Sequence, residues 1–262
     1  MNHGKFDFHI HTDIIGCANK TMSIENILAT CAAAGCTAIA ITDHLNQPDQ
    51  LPQHRIIRDR LLNLRSPIDV YFGAELNYSA RNVDFFYDEN IRDEYGFQFA
   101  LGGIHETFTD TYDLKTIIDI QHRHHLMTCR NPLVDVLVHP YWFSKSQFVK
   151  KGFPPFQTMK DVPASYAREL GQVAMDTGTA IEINSHSMLD PAYINADFVK
   201  EYIDYLAVIA ETGATFALGS DAHDIGQLNG IQDAWAVAET LHLSAHRIYK
   251  PKCKPLLTAP PS

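Results

Sequence analysis

Cysteine is scarce in this chain, and its spacing argues against a framework of disulfide bonds. The 262 residues contain five cysteines, and no two of them form a CxxC pair. An odd number of scattered cysteines is not the pattern of a small, disulfide-rich secreted domain. We expect most of them to be ordinary small apolar residues. They are Cys17, Cys31, Cys36, Cys129 and Cys253.

Long apolar runs and an excess of positive charge are also missing. No apolar stretch approaches the roughly 20 residues that cross a bilayer, and the first seven residues, MNHGKFD, contain no apolar core of a secretory signal. We therefore expect a cytoplasmic protein with no membrane partner. Lys and Arg number 21 against 31 Asp and Glu, a formal net charge of -10. Such a chain lacks the electrostatic footprint of a nucleic-acid binder, so nucleic acid is not an expected partner.

Low-complexity tracts and flexible linkers are absent until the C-terminal tail. The apolar fraction of 45% is that of a globular protein with an ample core. We therefore predict a single domain over residues 1–262. The tail, residues 251–262, ends in a proline-containing stretch and is expected to be frayed.

Seven short apolar runs predict the buried strands of a parallel sheet. Several are apolar almost throughout, as in strands that are covered on both faces. Helical patterns separate them, and the repeated alternation predicts one (β/α) barrel, irregular because it has seven units instead of eight. The predicted strands are 6–10, 37–42, 69–74, 98–104, 134–138, 179–184 and 214–220, and the predicted helices are 23–35, 113–127, 163–178, 196–213 and 231–242.

What the chain does contain is a set of histidines and carboxylates at the ends of the predicted strands. In a parallel barrel the carboxyl ends of the strands meet at one mouth, which is where catalytic residues are placed. Scattered structural histidines would not all choose the same end of a strand. We therefore predict a multinuclear metal site. Its residues are His9, His11, His44, Glu75, His105, His139, Asp221 and His223.

The spacing within this set suits metal binding. His9 and His11 lie on one face of a strand, about 6.5–7 Å apart along the chain. Either Asp43 or His44 is a candidate ligand, with Asp43 otherwise orienting a ligand or capping a helix. Glu75 can bridge two cations. Asp221, two residues before His223, adds the negative charge that a cluster of divalent ions needs.

Other histidines give weaker signals. His186 follows the sixth strand and is a candidate substrate contact at the mouth, and Glu182 and Asn184 share one face of that strand. The remaining histidines are expected on a solvated helix surface or show no pattern with a partner. The helix group is His122, His124 and His125, and the unpatterned ones are His3, His54, His242 and His246.

These motifs resemble the PHP (polymerase and histidinol phosphatase) family over most of the chain. The resemblance implies a distorted (β/α)7 TIM-like barrel, a PHP domain, that holds two or three Zn, Mn or Fe ions and hydrolyses phosphoesters. The order and spacing of the motifs agree throughout. They are His9-Ile-His-Thr, Ile41-Thr-Asp-His, Gly73-Ala-Glu, Gly103-Ile-His-Glu, Val138-His-Pro, Ile181-Glu-Ile-Asn and Gly219-Ser-Asp-Ala-His.

The resemblance also implies which residues hold which ion. One metal would be bound by His9, His11, Glu75 and Asp221. A second would share Glu75 and add His105 and His139. A third would use His44, His223 and a residue from the loop after His11, where the family usually has Asp or His. Here that loop reads TDIIGCANK and looks longer, so Cys17, whose thiolate favours zinc, and Asp13 compete for the place.

The expected reaction is hydrolysis of a small phosphomonoester by a hydroxide that bridges the metals. Glu75 and Asp221 are the predicted catalytic residues, and Asp221 or a nearby histidine would transfer a proton at the leaving group. Arg81 and Arg130 are candidate phosphate contacts, with surface ion pairing as the safer explanation of both. The loops around 77–97 and 140–162 are expected to read the leaving group.

Family membership makes histidinol phosphate the first candidate substrate. A nucleotide phosphatase or small exonuclease is the alternative within the family. An amidohydrolase-like enzyme that cleaves C–N bonds is a third possibility, against which stands the absence of an obvious lysine at a strand end. A non-catalytic metal-binding domain is the fourth, because the loop after His11 is altered.

Overall fold

A single parallel sheet forms the centre of the molecule. The computed structural model describes residues 5–78, 84–105, 109, 112–143, 148, 152–154, 156–190 and 195–259. Within them the strand order is β1-β2-β4-β5-β6-β7-β8, and the two-residue β3 pairs with β4. The strands are β1 (Lys5–Ile10), β2 (Cys36–Ile41), β3 (His44–Leu45), β4 (Asp69–Asn77), β5 (Phe99–Gly103), β6 (Val136–Leu137), β7 (Ala180–Asn184) and β8 (Phe216–Gly219).

Hydrogen bonds just beyond β8 close this sheet into a barrel. The backbone N–H of Asp221 donates to the carbonyl of His9 over 2.8 Å, and that of His11 donates to the carbonyl of Ala222 over 3.2 Å. Seven strands therefore go round the barrel with β3 as a short addition to β4. The prediction of an irregular, seven-unit TIM-like barrel is confirmed.

A shift of register in β1 determines which of its side chains point inward. Phe6 and Phe8 pack in one buried cluster with Phe99, Leu101 and residues from four further strands, so they fill the barrel interior. Strict alternation would then turn His9 and His11 outward. The pairing of β1 with β2 shifts between Asp7 and Ile10, as in a β-bulge, and both histidines face inward as well.

Asp7 stabilises this shift. Its buried Oδ1 accepts the backbone N–H of His9 at 3.3 Å and the backbone N–H of Ser220 at 2.9 Å. Burial raises the pKa of Asp7 to about 7, although its hydrogen bonds with Ser220 and His9 oppose the rise. One side chain thus ties the irregular part of β1 to the end of β8, where Asp221 follows.

Helices surround the barrel and shield the outer faces of the strands. Their buried apolar residues, such as Ile27, Leu170 and Ile209, pack in one cluster with outward-facing strand residues, such as Ile39 and Phe72. The helices are α1 (Ile24–Ala33), α2 (Leu51–Leu62), α3 (Glu89–Tyr95), α4 (Leu114–Arg130), α5 (Ala164–Thr177), α6 (Ser185–Leu189), α7 (Ala196–Glu211) and α8 (Ile231–Thr240).

The predicted elements are present, with differences at their ends. All seven predicted strands and all five predicted helices appear; β4 runs on to Asn77, and β6 is only two residues long. The patterns missed α2, α3 and α6. The missed α2 has few apolar residues, and only His54, Ile57 and Leu61 are buried, so its periodicity is weak.

The C-terminal segment is attached to the barrel rather than frayed as far as Ala259. Val70 and Leu257 exchange backbone hydrogen bonds of 2.9 and 3.1 Å, and the backbone N–H of Ala259 donates to Asp69 Oδ1 over 2.9 Å. The expectation of a loose tail is therefore not met for residues 251–259, and 260–262 lie outside the described residues. Among the described helices, none has the length and apolar character needed to cross a membrane.

Candidate metal centre

Glu75 lies at the centre of the histidine cluster. It ends the inward-facing part of β4 and is completely buried. Its Oε1 is 3.0 Å from both His105 Nε2 and His139 Nε2, and its Oε2 is 2.7 Å from His44 Nδ1. Burial opposes ionisation, but the positive potential of the surrounding histidines, His44 first, outweighs it and holds the pKa of Glu75 well below its usual range. The carboxylate is therefore charged.

Asp221 supplies the second carboxylate from the opposite side. Its Oδ1 lies 3.2 Å from His11 Nε2 and 3.5 Å from His9 Nε2. Its Oδ2 accepts hydrogen bonds from Ser187 Oγ at 2.8 Å and Asn184 Nδ2 at 3.2 Å. Burial raises the pKa of Asp221, but His9 and His11 outweigh this effect and hold it well below the usual value.

Two of the candidate ligands occupy strained backbone positions. His139 has φ of 30° and Asp221 has φ of 55°, in the left-handed region that residues other than glycine rarely adopt. Each is held there by a hydrogen bond from its own backbone N–H, His139 to Glu182 Oε2 at 2.8 Å and Asp221 to the carbonyl of His9. Such strain costs of order 1–3 kcal/mol per residue and is concentrated at functional sites.

Three histidines have one ring nitrogen tied to an oxygen acceptor. His9 Nδ1 is 2.7 Å from Glu182 Oε1, His105 Nδ1 is 3.0 Å from Asn77 Oδ1, and His223 Nδ1 is 3.0 Å from the carbonyl of Asp221. Each Nδ1 can therefore donate to its acceptor, which leaves each Nε2 for a cation. Metal-binding histidines in proteins are oriented in this way by a carboxylate or carbonyl partner.

The donor set fits divalent cations. Glu75 Oε2 and His44 Nδ1 are buried, close together, and without a well-aligned hydrogen bond among the described residues. Three groups bring their ligand atoms within 4.8 Å of one another, and imidazole with carboxylate is the chemistry that Zn, Mn and Fe share. The groups are His9, His11 and Asp221; His44, Glu75 and His105; and His11, Cys17, His44 and His223.

The loop after His11 brings Cys17 to the cluster. Its Sγ lies 4.0 Å from His11 Nδ1. Partial burial and the negative charges of Asp43 and Glu75 raise the pKa of the Cys17 thiol to about 12, so a nearby cation is needed to make it a thiolate. Asp13, the competing residue of that loop, is in none of the three groups.

Asp43 supports the loop and belongs to none of the three ligand groups. Its Oδ1 accepts the backbone N–H of Thr12 at 2.9 Å and the hydroxyl of Thr12 at 3.2 Å. Burial raises the pKa of Asp43 to about 7 against these hydrogen bonds. Of the two alternatives at the end of β2, His44 is the one that contacts Glu75.

His54, which showed no pattern in the sequence, holds His44 in place. Its Nε2 donates to the carbonyl of His44 over 3.0 Å, and its ring packs against Phe97. Burial lowers the pKa of His54 from 6.5 to about 4. The side chain is therefore neutral at physiological pH and acts as a hydrogen-bond donor.

This depressed pKa predicts a pH dependence of stability. Between pH 6.5 and about 4, His54 is protonated in the unfolded chain but stays neutral in the folded protein. The contribution of His54 to the free energy of unfolding is therefore complete above pH 6.5 and is lost as the pH falls towards 4. We expect the free energy of unfolding to fall by about 3 kcal/mol more in the wild type than in His54→Gln across this window. Urea titrations of both proteins at several pH values test this; parallel curves would contradict it.

A cavity of about 180 Å³ opens beside the cluster. His186 lies in its wall, as the sequence predicted, and Ser187 and Trp142, which the sequence analysis did not single out, lie there too. The Trp142 ring is 5.5 Å from that of His139 and 5.7 Å from that of His105, centroid to centroid. The other lining residues are His44, His105, His139, Asp221 and His223.

Of the two candidate arginines, only Arg130 is among the described residues, and it does not line this cavity. Arg130 is the exposed last residue of α4 and is not among the residues that line the cavity. Arg81 lies outside the described residues.

His122 on α4 is not solvated, contrary to the expectation, because it is buried, stacks on Tyr166 at 3.9 Å and contacts Glu169.

A protein-family model matches the part of the sequence that carries most of these residues. The PHP domain model matches residues 7–186, more than half of the chain. The chain belongs to the PHP family. PHP domains are metal-dependent, in agreement with the histidine and carboxylate clusters.

Curated relatives and a solved structure extend the likeness to nearly the whole chain. A "Probable phosphatase" of Shewanella loihica is 25% identical over 97% of this chain and 92% of its own length. A "Probable histidinol-phosphatase" of Deinococcus radiodurans is 23% identical over 90% and 92%. The fold is shared with a provisionally assigned histidinol phosphatase, hisK, from Listeria monocytogenes, with a TM-score of 0.62, 11% identity, and coverage of 85% of this chain and 97% of that one.

Proposed function

We propose that this PHP protein is a metal-dependent phosphatase that hydrolyses a small phosphomonoester. The observation that carries the proposal is the gathering of five histidines around the buried, ionised Glu75, next to an open cavity. The names of the relatives support a phosphatase, and one of them supports a histidinol-phosphate-like substrate. The cavity of about 180 Å³ has room for a small ester.

The candidate ligands are those of the strand ends. We assign His9, His11, Glu75 and Asp221 to one cation, and Glu75 with His105 and His139 to another. When bound, divalent cations make a water molecule acidic enough to serve as a nucleophile near neutral pH and neutralise the oxygens of the phosphoryl group. Because Glu75 contacts histidines of both sets, it is the residue that can connect the two positions.

Asp221 is ionised and has no proton to donate to the leaving group. Its low pKa keeps it ionised, and Ser187 and Asn184 fix Oδ2, so that Oδ1 is the oxygen left facing His9 and His11. We assign Oδ1 to the cation that His9 and His11 also hold. The proton for the leaving group then has to come from elsewhere, and water at the open cavity can supply it.

His186 is the group that we assign to the leaving group. Gln227 Oε1 accepts the backbone N–H groups of His223 and Asp224, so its Nε2 is the atom that donates to His186 Nε2 at 3.2 Å. His186 is therefore held in the cavity wall by Gln227. From this position the ring of His186 can contact the leaving group.

Phosphate release by the metal-loaded protein tests the proposal. Protein reconstituted with Mn²⁺ or Zn²⁺ would be assayed on histidinol phosphate, sugar phosphates and nucleotides, beside a diester and a cyclic amide. We expect turnover of at least one small monoester. Turnover of only the diester or the amide, or none with the metals confirmed bound, would contradict the proposal.

Removal of the metals should abolish this activity reversibly. The histidines and carboxylates of the cluster are placed to bind cations. The stripped protein therefore lacks both the cations that activate water and the positive charge that compensates the phosphoryl oxygens. We expect background rates after chelation, recovery on addition of Zn²⁺ or Mn²⁺, and a loss of about 2.7 kcal/mol of stability relative to protein with metal at 100 times its Kd. Activity that survives complete chelation, checked by elemental analysis, would argue against a metal-dependent mechanism.

A further inference from the structure

Few groups of the cavity wall are available to contact the alcohol part of an ester. Most of the described lining residues are candidate ligands for cations, namely His44, His105, His139, Asp221 and His223. Of the other three, Ser187 donates its hydroxyl to Asp221 Oδ2 over 2.8 Å. That leaves Trp142 and His186, and both are flat rings. The described lining includes no lysine or arginine that would attract a second anionic group.

A tight turn holds the Trp142 indole in the wall. Its backbone N–H donates to the carbonyl of His139 over 2.9 Å. Tyr141, one residue earlier, has φ of 64° and is buried, with its ring edge-on to those of His125 and Tyr205 at 4.7 and 5.7 Å. Tyr141 thus anchors the turn inside the protein, and the next side chain lines the cavity. Because the turn is fixed before any ligand binds, ordering the indole adds little to the cost of binding.

Trp142 lies beside ligands of one proposed cation and turns carbon atoms towards the cavity. Its ring centroid is 5.5 Å from that of His139 and 5.7 Å from that of His105. The indole nitrogen is buried, whereas the residue as a whole is only half-buried, so the ring presents carbon surface. An alcohol bonded to a phosphoryl group at that cation is therefore next to the indole.

Such a surface discriminates between kinds of alcohol. Aromatic rings pack against an indole with an offset or edge to face, and these pairs are favourable beyond the area that they bury. A sugar has hydroxyl groups that need hydrogen-bond partners when they leave water. The described polar groups on this side are already engaged, Ser187 with Asp221 and His186 with Gln227. The wall therefore favours a flat ring over a polyol.

We propose that Trp142 determines the choice of leaving group, and that the preferred substrate is the phosphate ester of an alcohol with an aromatic ring a short chain away. The inference rests on the proposed function, because it names the substrate class of the same site. The aromatic ring packs on the indole while the phosphoryl group lies at the cations. Esters of sugars and other polyols are poorer substrates.

A pair of esters that differ only in the flatness of the ring tests the preference. 2-Phenylethyl phosphate and 2-cyclohexylethyl phosphate release primary alcohols of similar size and reactivity. We expect kcat/KM of the metal-loaded wild type to be about 10-fold higher for the phenyl ester, through KM rather than kcat. Trp142→Phe should keep most of this preference and Trp142→Leu should lose it. Equal kcat/KM for the two esters in the wild type would overturn the proposal.

Methyl phosphate distinguishes substrate contact from support of the metal ligands. It carries no ring that could reach the indole, so the loss of kcat/KM in Trp142→Leu should be about 10-fold smaller for methyl phosphate than for 2-phenylethyl phosphate. A Trp142 that merely supported His105 and His139 would affect both esters alike. Equal losses on the two esters would therefore contradict the proposal.

Tryptophan fluorescence locates the bound ring without relying on turnover. The chain has two tryptophans, and Trp235 donates its indole N–H to the carbonyl of Phe6 over 3.1 Å, away from the cavity. Metal-loaded Trp235→Phe, which reports on Trp142, and Trp142→Phe, which reports on Trp235, would be titrated with 3-phenylpropylphosphonate and with methylphosphonate. We expect a saturable change in emission in Trp235→Phe that is larger for the phenyl compound, and no such difference in Trp142→Phe.

The outcomes separate this inference from the proposed function. The same response to both phosphonates in Trp235→Phe would overturn the inference. Hydrolysis of methyl, cyclohexyl and sugar esters as efficiently as of the phenyl ester would refute the inference alone. A selective response of Trp142 to the phenyl compound, without phosphate release from any ester, would refute the proposed function alone.

Discussion

Replacement of Glu75 by glutamine is expected to lower phosphate release at least about 1,000-fold. Glu75 contacts His9, His11, His44, His105 and His139, so its loss removes the charge that joins two metal positions. A cation supplies several kcal/mol of transition-state stabilisation, and each 1.36 kcal/mol is a factor of ten in rate. Steady-state kinetics at saturating metal, with metal content measured in the same samples, would check this expectation.

Glu182→Gln is the matched control for Glu75→Gln. Glu182 is also a buried carboxylate on an inward-facing strand position, but it contacts His9 through Nδ1 and His139 through its backbone N–H, behind the ring atoms that face Glu75. Loss of such a supporting contact typically costs about 10–100-fold in metal affinity, and excess metal should largely restore the rate. If the two variants behaved alike, the central position of Glu75 would be in doubt.

Substitution of Gly219 by alanine should damage both stability and activity. A Cβ at residue 219 would overlap Glu182 Oε1 and lie only 2.6 Å from His9 Cβ. Both neighbours are buried and hydrogen-bonded to each other, so neither can move without breaking the contact that orients His9. We expect a loss of about 1–3 kcal/mol in the free energy of unfolding and a fall in metal affinity at the positions that use His9.

Gly226→Ala tests whether the effect is specific to this contact. Gly226 is close to His223 in the chain, but a Cβ there would meet only Asp224 Oδ1, at an ordinary 3.4 Å. Thermal denaturation with and without added zinc should show Gly226→Ala near the wild type and Gly219→Ala well below it. A Gly219→Ala protein of normal stability and normal metal content would show that the His9–Glu182 pair is less constrained than its distances indicate.

The position of the cluster could be predicted from the sequence because the parallel strands of a barrel bring residues that are far apart in the chain together at one end. His44, His105 and His139 are far apart in the chain, yet each follows a strand, and parallel strands deliver their carboxyl ends to one mouth. The same logic brought His186 to the cavity wall. Periodicity and strand ends were therefore sufficient for the ring of candidate ligands.

The supporting contacts could not be predicted, since they depend on side-chain pairs that no local pattern encodes. Asn77 orients His105 from 28 residues away, and Glu182 orients His9 from 173 residues away. The register shift of β1 is equally hidden, because the alternation in Phe6-Asp-Phe-His-Ile-His would by itself place the phenylalanines and the histidines on opposite faces. Only the closed barrel, with Asp7 bound to Ser220, shows why both face inward.

A packed aromatic interior lies below the histidine cluster, on the side away from the cavity. Phe6, Phe8, Phe99 and Tyr249 fill the barrel beneath the histidines, and the cavity opens on the other side, so cations, water and ester can share that opening. Whatever occupies that opening then stands in the exit path of the ions behind it. Bound phosphate should accordingly slow the loss of metal to an external chelator, so the protein would retain its metal ions longest during turnover.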